Sequence, residues 1–408
     1  MGFDASELLL KGEKGMNNPG KIERIKNGAV QIYSEQGLTE RLQSGKSLTI
    51  KLGADPSRPD LHLGHSVVLR KLKLFQELGH RVVFVIGDFT GMIGDPTGKS
   101  RTRPALTLEE TRKSGESYFK QVTKILDPEK TEITYNSEWL SKMNFADVIR
   151  LCSKYTVARI LERDDFKNRL TQNQPISMHE LLYPLIQGYD SVALNADVEV
   201  GGTDQTFNLL VGRALQADYG QTPQEVVTFP LLIGLDGKEK MSKSLDNYIG
   251  IDEPADVMFE KAMKIPDKLL RDYFILTTDT LKSEADTMIN NDIREAHFTY
   301  ALMITEMYHD RVSAENAKQR YLRVAGGAAP AEMPEYVISG TEIMACELLK
   351  RVGFASSNGE ARRNITGRGV RIDGLIVEDP MLKISLTEPF ILQFGKNKFI
   401  RIRSGKHA

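Results

Sequence analysis

Leu48-Thr49-Ile50-Lys51-Leu52-Gly53-Ala54, then Asp55-Pro56-Ser57-Arg58-Pro59-Asp60, then Leu61-His62-Leu63-Gly64-His65-Ser66 is the stretch that decides the fold. The first seven residues read as a strand, the segment with two prolines as a turn, and the run from Ser66 to Leu78 as an amphipathic helix. Further strand candidates at Arg81 to Ile86, Thr131 to Tyr135, Asp197 to Val200 and Val226 to Ile233 alternate with helical stretches. That order predicts a Rossmann-like, doubly wound, mostly parallel α/β sheet, whose ligands lie beyond the carboxyl ends of the strands.

Outward from the sheet, Met, Leu and Ile recur three and four apart from Glu253 to about Ala325, which predicts a helical domain. Gly326-Gly327-Ala328-Ala329-Pro330-Ala331-Glu332-Met333-Pro334 reads as a linker stiffened by two prolines. The expected division is 1–250 for the sheet domain, 251–325 for the helical domain, 326–340 for the linker and 341–408 for a small α+β module.

Two motifs carry the chemistry. At a helix N-terminus, free N–H groups and the positive end of the dipole favour an anion, and His62 and His65, three apart, project from the same side. Gly64 between them lets a flat group approach the backbone. A metal site on His-x-x-His needs further nitrogen or sulfur ligands. Seven histidines and two cysteines offer no other cluster, so phosphate is the better reading and no protein-held metal is expected. The second motif, Lys240-Met241-Ser242-Lys243-Ser244, lies in a glycine-rich segment after the last strand candidate. Lys240 and Lys243 offer ammonium groups to a polyphosphate, and Ser242 and Ser244 offer hydroxyls. Alone this is also the composition of a solvated charged loop; together the motifs supply two sets of phosphate-facing groups.

Tyr183, Gln187 and Asp190 are spaced four and three apart, one face of a helix, and can converge on one ligand. Gly201-Gly202-Thr203-Asp204-Gln205 follows a strand and opens a helix. Its glycines allow backbone approach to a ribose or adenine, Asp204 can accept from ribose hydroxyls, and Gln205 can reach a substrate carboxyl group. Gly94-Asp95-Pro96-Thr97-Gly98-Lys99-Ser100 imitates a phosphate-binding P-loop, but that loop needs four residues between its glycines and this one has three.

Gly53-Ala54-Asp55-Pro56-Ser57, the His62 to His65 motif, Gly94 to Lys99, Tyr183-Pro184-Leu185-Ile186-Gln187-Gly188-Tyr189-Asp190, Gly201 to Gln205 and Lys240 to Ser244 stand together in one order. On these six motifs, over nearly the whole chain, the sequence resembles the class I aminoacyl-tRNA synthetases, and within them the bacterial tyrosyl-tRNA synthetases. The resemblance implies activation of L-tyrosine by ATP with Mg2+, transfer of the tyrosyl group to tRNA(Tyr), and a homodimer. It implies ATP contacts from Ser57, His62, Gly64, His65, Gly202, Asp204, Lys240, Ser242 and Lys243, with His62, His65, Lys240 and Lys243 catalytic. It implies tyrosine contacts from Gly53, Asp55, Asp95, Tyr183, Gln187, Asp190 and Gln205. Asp95, Tyr183 and Gln187 would hold the amino group and Asp190 the phenol hydroxyl. Residues 341–408 look like a small RNA-binding domain shared with a ribosomal protein. There Lys350, Arg362, Arg363 and Arg368 could lie along one helical face toward phosphates. Two positions depart from the pattern. Lys51 stands where many relatives have tyrosine, and either pairs with Asp190 or turns away. Glu199 stands where others have glutamine and would add charge near the substrate ammonium.

The bulk composition agrees. At 408 residues and 40% apolar, the chain can bury several cores. Net charge is -1, yet residues 341–408 carry 12 Lys and Arg against 7 Asp and Glu, so positive charge gathers at that end. Cys152 and Cys346, far apart, fit a reducing cytoplasm, and no apolar run or leader predicts a membrane association. The neighbouring readings are a tryptophan-activating enzyme of the same fold, disfavoured by Asp190 and the C-terminal module, and an RNA-binding protein without catalysis. The second has no need of both histidines and both loop lysines.

Overall fold

A computed structural model describes residues 18–54, 61–93, 121–325, 333–395 and 398–405. The chain divides into two compact units, residues 1–309 and 310–408.

The first unit is built on a six-stranded sheet of β1 (Gln31–Tyr33), β2 (Thr49–Ala54), β3 (Arg81–Ile86), β4 (Thr131–Tyr135), β5 (Val198–Gly202) and β6 (Glu225–Phe229), in the order β1-β6-β5-β2-β3-β4. β2 to β6 run parallel, and β1, which the sequence reading missed, lies antiparallel along the β6 edge. The doubly wound α/β class is as expected. Val82 to Ile86 of β3 are all buried, as a strand covered on both faces requires. The chain leaves β2 toward β3 and β4 and returns to lay β5 on the other flank of β2. Strand order therefore reverses between β2 and β5, and the crevice opens at their carboxyl ends.

Three helices pack against these strands. Leu63–Glu77, the motif helix, follows β2; Met178–Leu194, the pocket helix, precedes β5; Thr206–Asp218 follows β5. The last two pack closely, because a Cβ on Gly188 would come within 3.0 Å of the Gly212 amide nitrogen. Helices Ala255–Ala262, Asp267–Thr277, Lys282–Asn291 and Ile293–Tyr308 belong to the same unit. Tyr300 meets Phe274 and Tyr273 edge-on there, at ring-centroid distances of 5.2 and 5.8 Å. Two strand boundaries differ from the sequence reading. The strand expected over Val226 to Ile233 stops at Phe229, since Pro230 has no N–H for the ladder, and β5 extends through Gly202.

The second unit holds the helix Arg311–Ala325, read from sequence with the helical domain, and an α+β module. Its five-stranded sheet has the order β10-β9-β12-β13-β7, with β7 Glu335–Ser339, β9 Val370–Ile372, β10 Leu375–Ile376, β12 Phe390–Phe394 and β13 Lys398–Gly405. β8 (Glu342–Met344) and β11 (Lys383–Ser385) form a separate pair. Helices Ala345–Arg351 and Asn358–Thr366 share a core with these sheets that includes Leu348, Ile365, Leu392 and Ile402. Asp373 and Gly374, both at positive φ, make the two-residue turn between β9 and β10. The linker boundary is corrected: residues 335–339, read as linker, form β7, parallel to β13. Tyr336, Val337 and Ile338 favour a pleated strand, and Ile338 is buried.

Candidate active site

His62 is the N-cap of the motif helix, which begins at Leu63, three residues before the Ser66 start read from sequence. Its Nδ1 accepts the Gly64 N–H at 3.2 Å, and His65 Nδ1 accepts the His62 N–H at 3.2 Å, a reciprocal cap made of two imidazoles. The ring centroids lie 4.1 Å apart. Burial lowers the pKa of His62 to about 3, with repulsion from His65 adding to it. Burial lowers that of His65 to about 4 against its hydrogen bond to His62. Both rings are neutral at working pH. With each Nδ1 accepting from backbone, each Nε2 carries the proton and is a donor.

The second motif is stitched to the first. Leu63 N–H donates to Ile249 O at 3.0 Å and Ile251 N–H to Leu61 O at 3.2 Å, bracketing a bridge between His62 and Gly250. A Cβ on Gly64 would lie 2.9 Å from His62 Cε1 and 3.7 Å from Met241 Cβ, so this glycine lets helix, ring and loop approach together. Within the loop, Met241 is buried and its N–H donates to Leu232 O at 2.7 Å. Asn247 Oδ1 accepts from Ser242 N–H at 2.8 Å. Asn247 Nδ2 donates to Asp236 Oδ2 at 2.7 Å and to Lys240 O at 3.2 Å. Lys240 and Lys243 remain exposed on this braced frame, and Ser242 and Ser244 hydroxyls share a hydrogen bond of 2.9 Å.

Tyr183, Gln187 and Asp190 are all buried on the pocket helix, one face as their spacing predicted. Gln187 Oε1 accepts from Asn208 Nδ2 at 2.8 Å, and Asn208 Oδ1 accepts from Arg163 at 3.3 Å. Asp190 accepts from Trp139 Nε1 at 2.9 Å and from Asn136 Nδ2 at 3.4 Å. Burial pushes its carboxyl up to about 7, opposed by Lys51, Trp139 and Asn136 and aided by Glu199. Lys51 neither turns away nor bonds Asp190 directly. It pairs with Glu199 across β2 and β5 at 2.9 Å, so Glu199 is matched by a cation.

Gly202 ends β5, and Asp204 and Gln205 sit in the short turn before the next helix. Asp204 Oδ1 would lie 2.6 Å from a Cβ at Gly202, and Gln205 Oε1 3.0 Å from one at Gly201. Gly53 lies near the end of β2 with open space where a Cβ would stand. Asp55, Ser57 and Asp95 lie outside the described residues. In the second unit, Lys350 belongs to one helix, Arg362 and Arg363 to the next, and Arg368 to the turn after it at positive φ, where it pairs with Glu378 at 2.7 Å. All four are exposed but do not share one helical face, because Gly353 and the residues after it break the helix between them. Among the described residues no group of three or more His, Cys, Asp or Glu is placed to hold a metal. No helix among them is long and apolar enough to cross a membrane.

Sequence reasoning missed Asn136, Trp139, Asn208 and Asn247. Trp139 is the chain's single tryptophan, placed just after a strand, but only the fold brings it to Asp190.

Residues 43–324 match the family described as tRNA synthetases class I (W and Y). The chain belongs to this family. The synthetase is 52% identical over 401 residues to the tyrosine–tRNA ligase of Geobacter sulfurreducens, covering 95% of this chain and 99% of that one. It is 50% identical over 393 residues to the tyrosine–tRNA ligase of Deinococcus radiodurans, covering 94% and 96%. Its fold is similar to that of a C-terminally truncated mitochondrial tyrosyl-tRNA synthetase of Aspergillus nidulans, with a TM-score of 0.62, 22% identity, and 78% and 97% of the two chains covered. The synthetase is thus an ATP-dependent, tRNA-aminoacylating enzyme of the tyrosine–tRNA ligase group.

Proposed function

We propose that the synthetase takes L-tyrosine as its amino acid, ATP with Mg2+ as the activating complex, and tRNA(Tyr) as acceptor. A tyrosine carboxylate oxygen attacks the α-phosphorus of ATP and pyrophosphate leaves, giving tyrosyl-adenylate. A ribose hydroxyl of the terminal adenosine of tRNA then attacks the carbonyl carbon and AMP leaves. No protein nucleophile is needed, so the protein's contribution is positioning and stabilisation of developing charge.

The observation that carries this reading is the backbone seam between Leu61–Leu63 and Ile249–Ile251, which joins the histidine motif to the segment that follows the lysine loop. His62 and His65 Nε2–H groups and the ammonium groups of Lys240 and Lys243 would meet the phosphates, with Ser57, Ser242 and the Gly64 backbone. Gly202 and Asp204 would receive the ribose. Tyr183, Gln187 and Asp95 would hold the ammonium, with Gly53, Asp55 and Gln205 lining the same subsite. Asp190 would accept from the phenol hydroxyl, and phenylalanine would leave that acceptor position of the carboxylate unfilled in a dry pocket.

Lys350, Arg362, Arg363 and Arg368 would contact tRNA phosphates. Homodimer formation is supported by Phe145, Ile149, Val157, Leu170 and Met178, large apolar side chains exposed from the segment after β4 to the first residue of the pocket helix. Two free cysteines suit a cytoplasmic enzyme.

Amino-acid-dependent exchange of pyrophosphate into ATP, without tRNA and across all twenty amino acids, tests the reading. Exchange with tyrosine alone is expected. Exchange with tryptophan would overturn the pocket assignment, and none with any amino acid would favour an RNA-binding protein without catalysis.

A further inference from the structure

β2 and β5 are neighbours at the point where strand order reverses, and their register sets Lys51 opposite Glu199. Both side chains are almost fully shielded from solvent, at 0% and 1% exposed. Lys51 Nζ donates to Ser191 Oγ at 2.8 Å and to Gln187 O at 3.2 Å, and forms an ion pair with Glu199 Oε1 at 2.9 Å. Glu199 Oε2 in turn accepts from Ser191 Oγ at 3.0 Å and from Gln224 Nε2. A closed triangle of Lys51, Ser191 and Glu199 thus bolts the pocket helix to the sheet, at residues three before and one after Asp190.

Burying an ion pair costs desolvation that mutual attraction barely offsets, and a core of apolar side chains would serve stability as well. A charge kept at this depth calls for a use, and its nearest use is Asp190. Four elements face that carboxylate. β2 brings Lys51, β5 brings Glu199, and the segment after β4 brings the neutral donors Asn136 and Trp139. The turn after β3 brings Thr90, which accepts from Asn136 at 3.2 Å, while Asp88 nearby accepts from Ser137. Lys51 is the one cation in this set, and its attraction on Asp190 exceeds the repulsion from Glu199.

We propose that Lys51, seated by Glu199, is the positioning residue of the phenol subsite: its ammonium favours the ionised, accepting form of Asp190 and locks the pocket helix, and so sets the preference for a hydroxylated over a plain aromatic substrate. The inference rests on Asp190 being the phenol acceptor.

The test is pyrophosphate exchange with tyrosine and with phenylalanine from pH 6 to 9, in the parent enzyme and in K51M, E199Q and K51M/E199Q. Phenylalanine controls for titration of the substrate amine and ATP. The midpoint of tyrosine kcat/KM relative to phenylalanine should rise by about one pH unit in K51M and fall in E199Q. In K51M, tyrosine KM at pH 7 should rise roughly tenfold with a much smaller change in kcat. K51M/E199Q removes both charges, so it keeps the fold free of an unpaired buried ion, and its midpoint should still lie above the parent's. A merely structural pair would not shift the midpoint in opposite directions. A folded double variant with the parent's midpoint and tyrosine-to-phenylalanine ratio would overturn the proposal. D190N separates the two ideas. Lost discrimination in D190N beside an unchanged double variant defeats only the role of Lys51, whereas retained discrimination in D190N defeats the phenol-acceptor reading and this inference with it.

Discussion

His65 Nδ1 accepts the backbone N–H of His62 at 3.2 Å, so one histidine caps the helix turn from which the other projects. The bond fixes the tautomer of His65 and leaves its Nε2–H as the donor. In the free enzyme, NMR titration should show both rings neutral down to about pH 5, well below the ordinary histidine value. The sign for stability follows. Folded pKa values of about 3 and 4 lie below the unfolded 6.5, so this contribution is whole above pH 6.5 and is lost as pH falls toward 4 and 3. Replacing both with asparagine should flatten that acid limb in urea midpoints.

Removing a phosphate donor should act on activation and spare tyrosine binding. H65A and K243A should each lower the rate of pyrophosphate exchange by roughly 10^2–10^3, with tyrosine affinity nearly unchanged. H65A also loses the cap, worth about 1 kcal/mol, and H65N separates that loss from catalysis. Equal collapse of tyrosine affinity in both variants would contradict the assigned roles.

Asn247 sits under the lysine loop and makes three of its hydrogen bonds. Asn247→Ala should release Lys240 and Lys243 from their frame, lowering exchange about tenfold or more through kcat. Stopped-flow adenylate formation with tyrosine saturating checks this. An unchanged rate would mean the loop is held by Met241 and the seam alone.

Asp190 titrates at about 7 when folded, above its unfolded carboxylate value. The folded state holds the extra proton, so its stabilising contribution is present at acid pH and lost as pH rises from about 4 to about 7. The thermal midpoint of ligand-free D190N should therefore gain on the parent as pH climbs through that window. The same variant should cut the tyrosine preference over phenylalanine by roughly ten- to a hundredfold, the worth of one buried unpaired acceptor.

The position of β7 dictates where a C-terminal truncation should fall. Deleting 333–408 removes β7 with its sheet, whereas deleting 341–408 strips Glu335–Ser339 of its partner β13 and bares Ile338. Both should retain adenylate formation while tRNA charging weakens and its salt slope shrinks. The shorter deletion should be the more prone to aggregate. Loss of adenylate formation in the 333–408 deletion would mean that the second unit does more than hold RNA.

Chemistry that depends on residue type at short spacing was legible in the chain itself. The strand-turn-helix order gave the doubly wound sheet, two histidines beside a glycine marked a helix N-terminus, and the spacing of Tyr183, Gln187 and Asp190 placed them on one buried face. Those patterns are local, set by backbone period and turn chemistry, so they survive without a fold. Strand limits and the 326–340 linker were less legible, because a short run such as Glu335–Ser339 becomes a strand only when β13 offers it a ladder.

Partnership across distance was the part that only tertiary structure decided. Nothing in the sequence pairs Lys51 with Glu199, Trp139 with Asp190, or Leu63 with Ile249. Each meeting depends on strand order and register, which place β2 beside β5 and the loop after β6 over the motif helix. The physical reason is that a buried charge or polar group must find its partner wherever packing puts one, and packing is settled by the whole core rather than by neighbours along the chain.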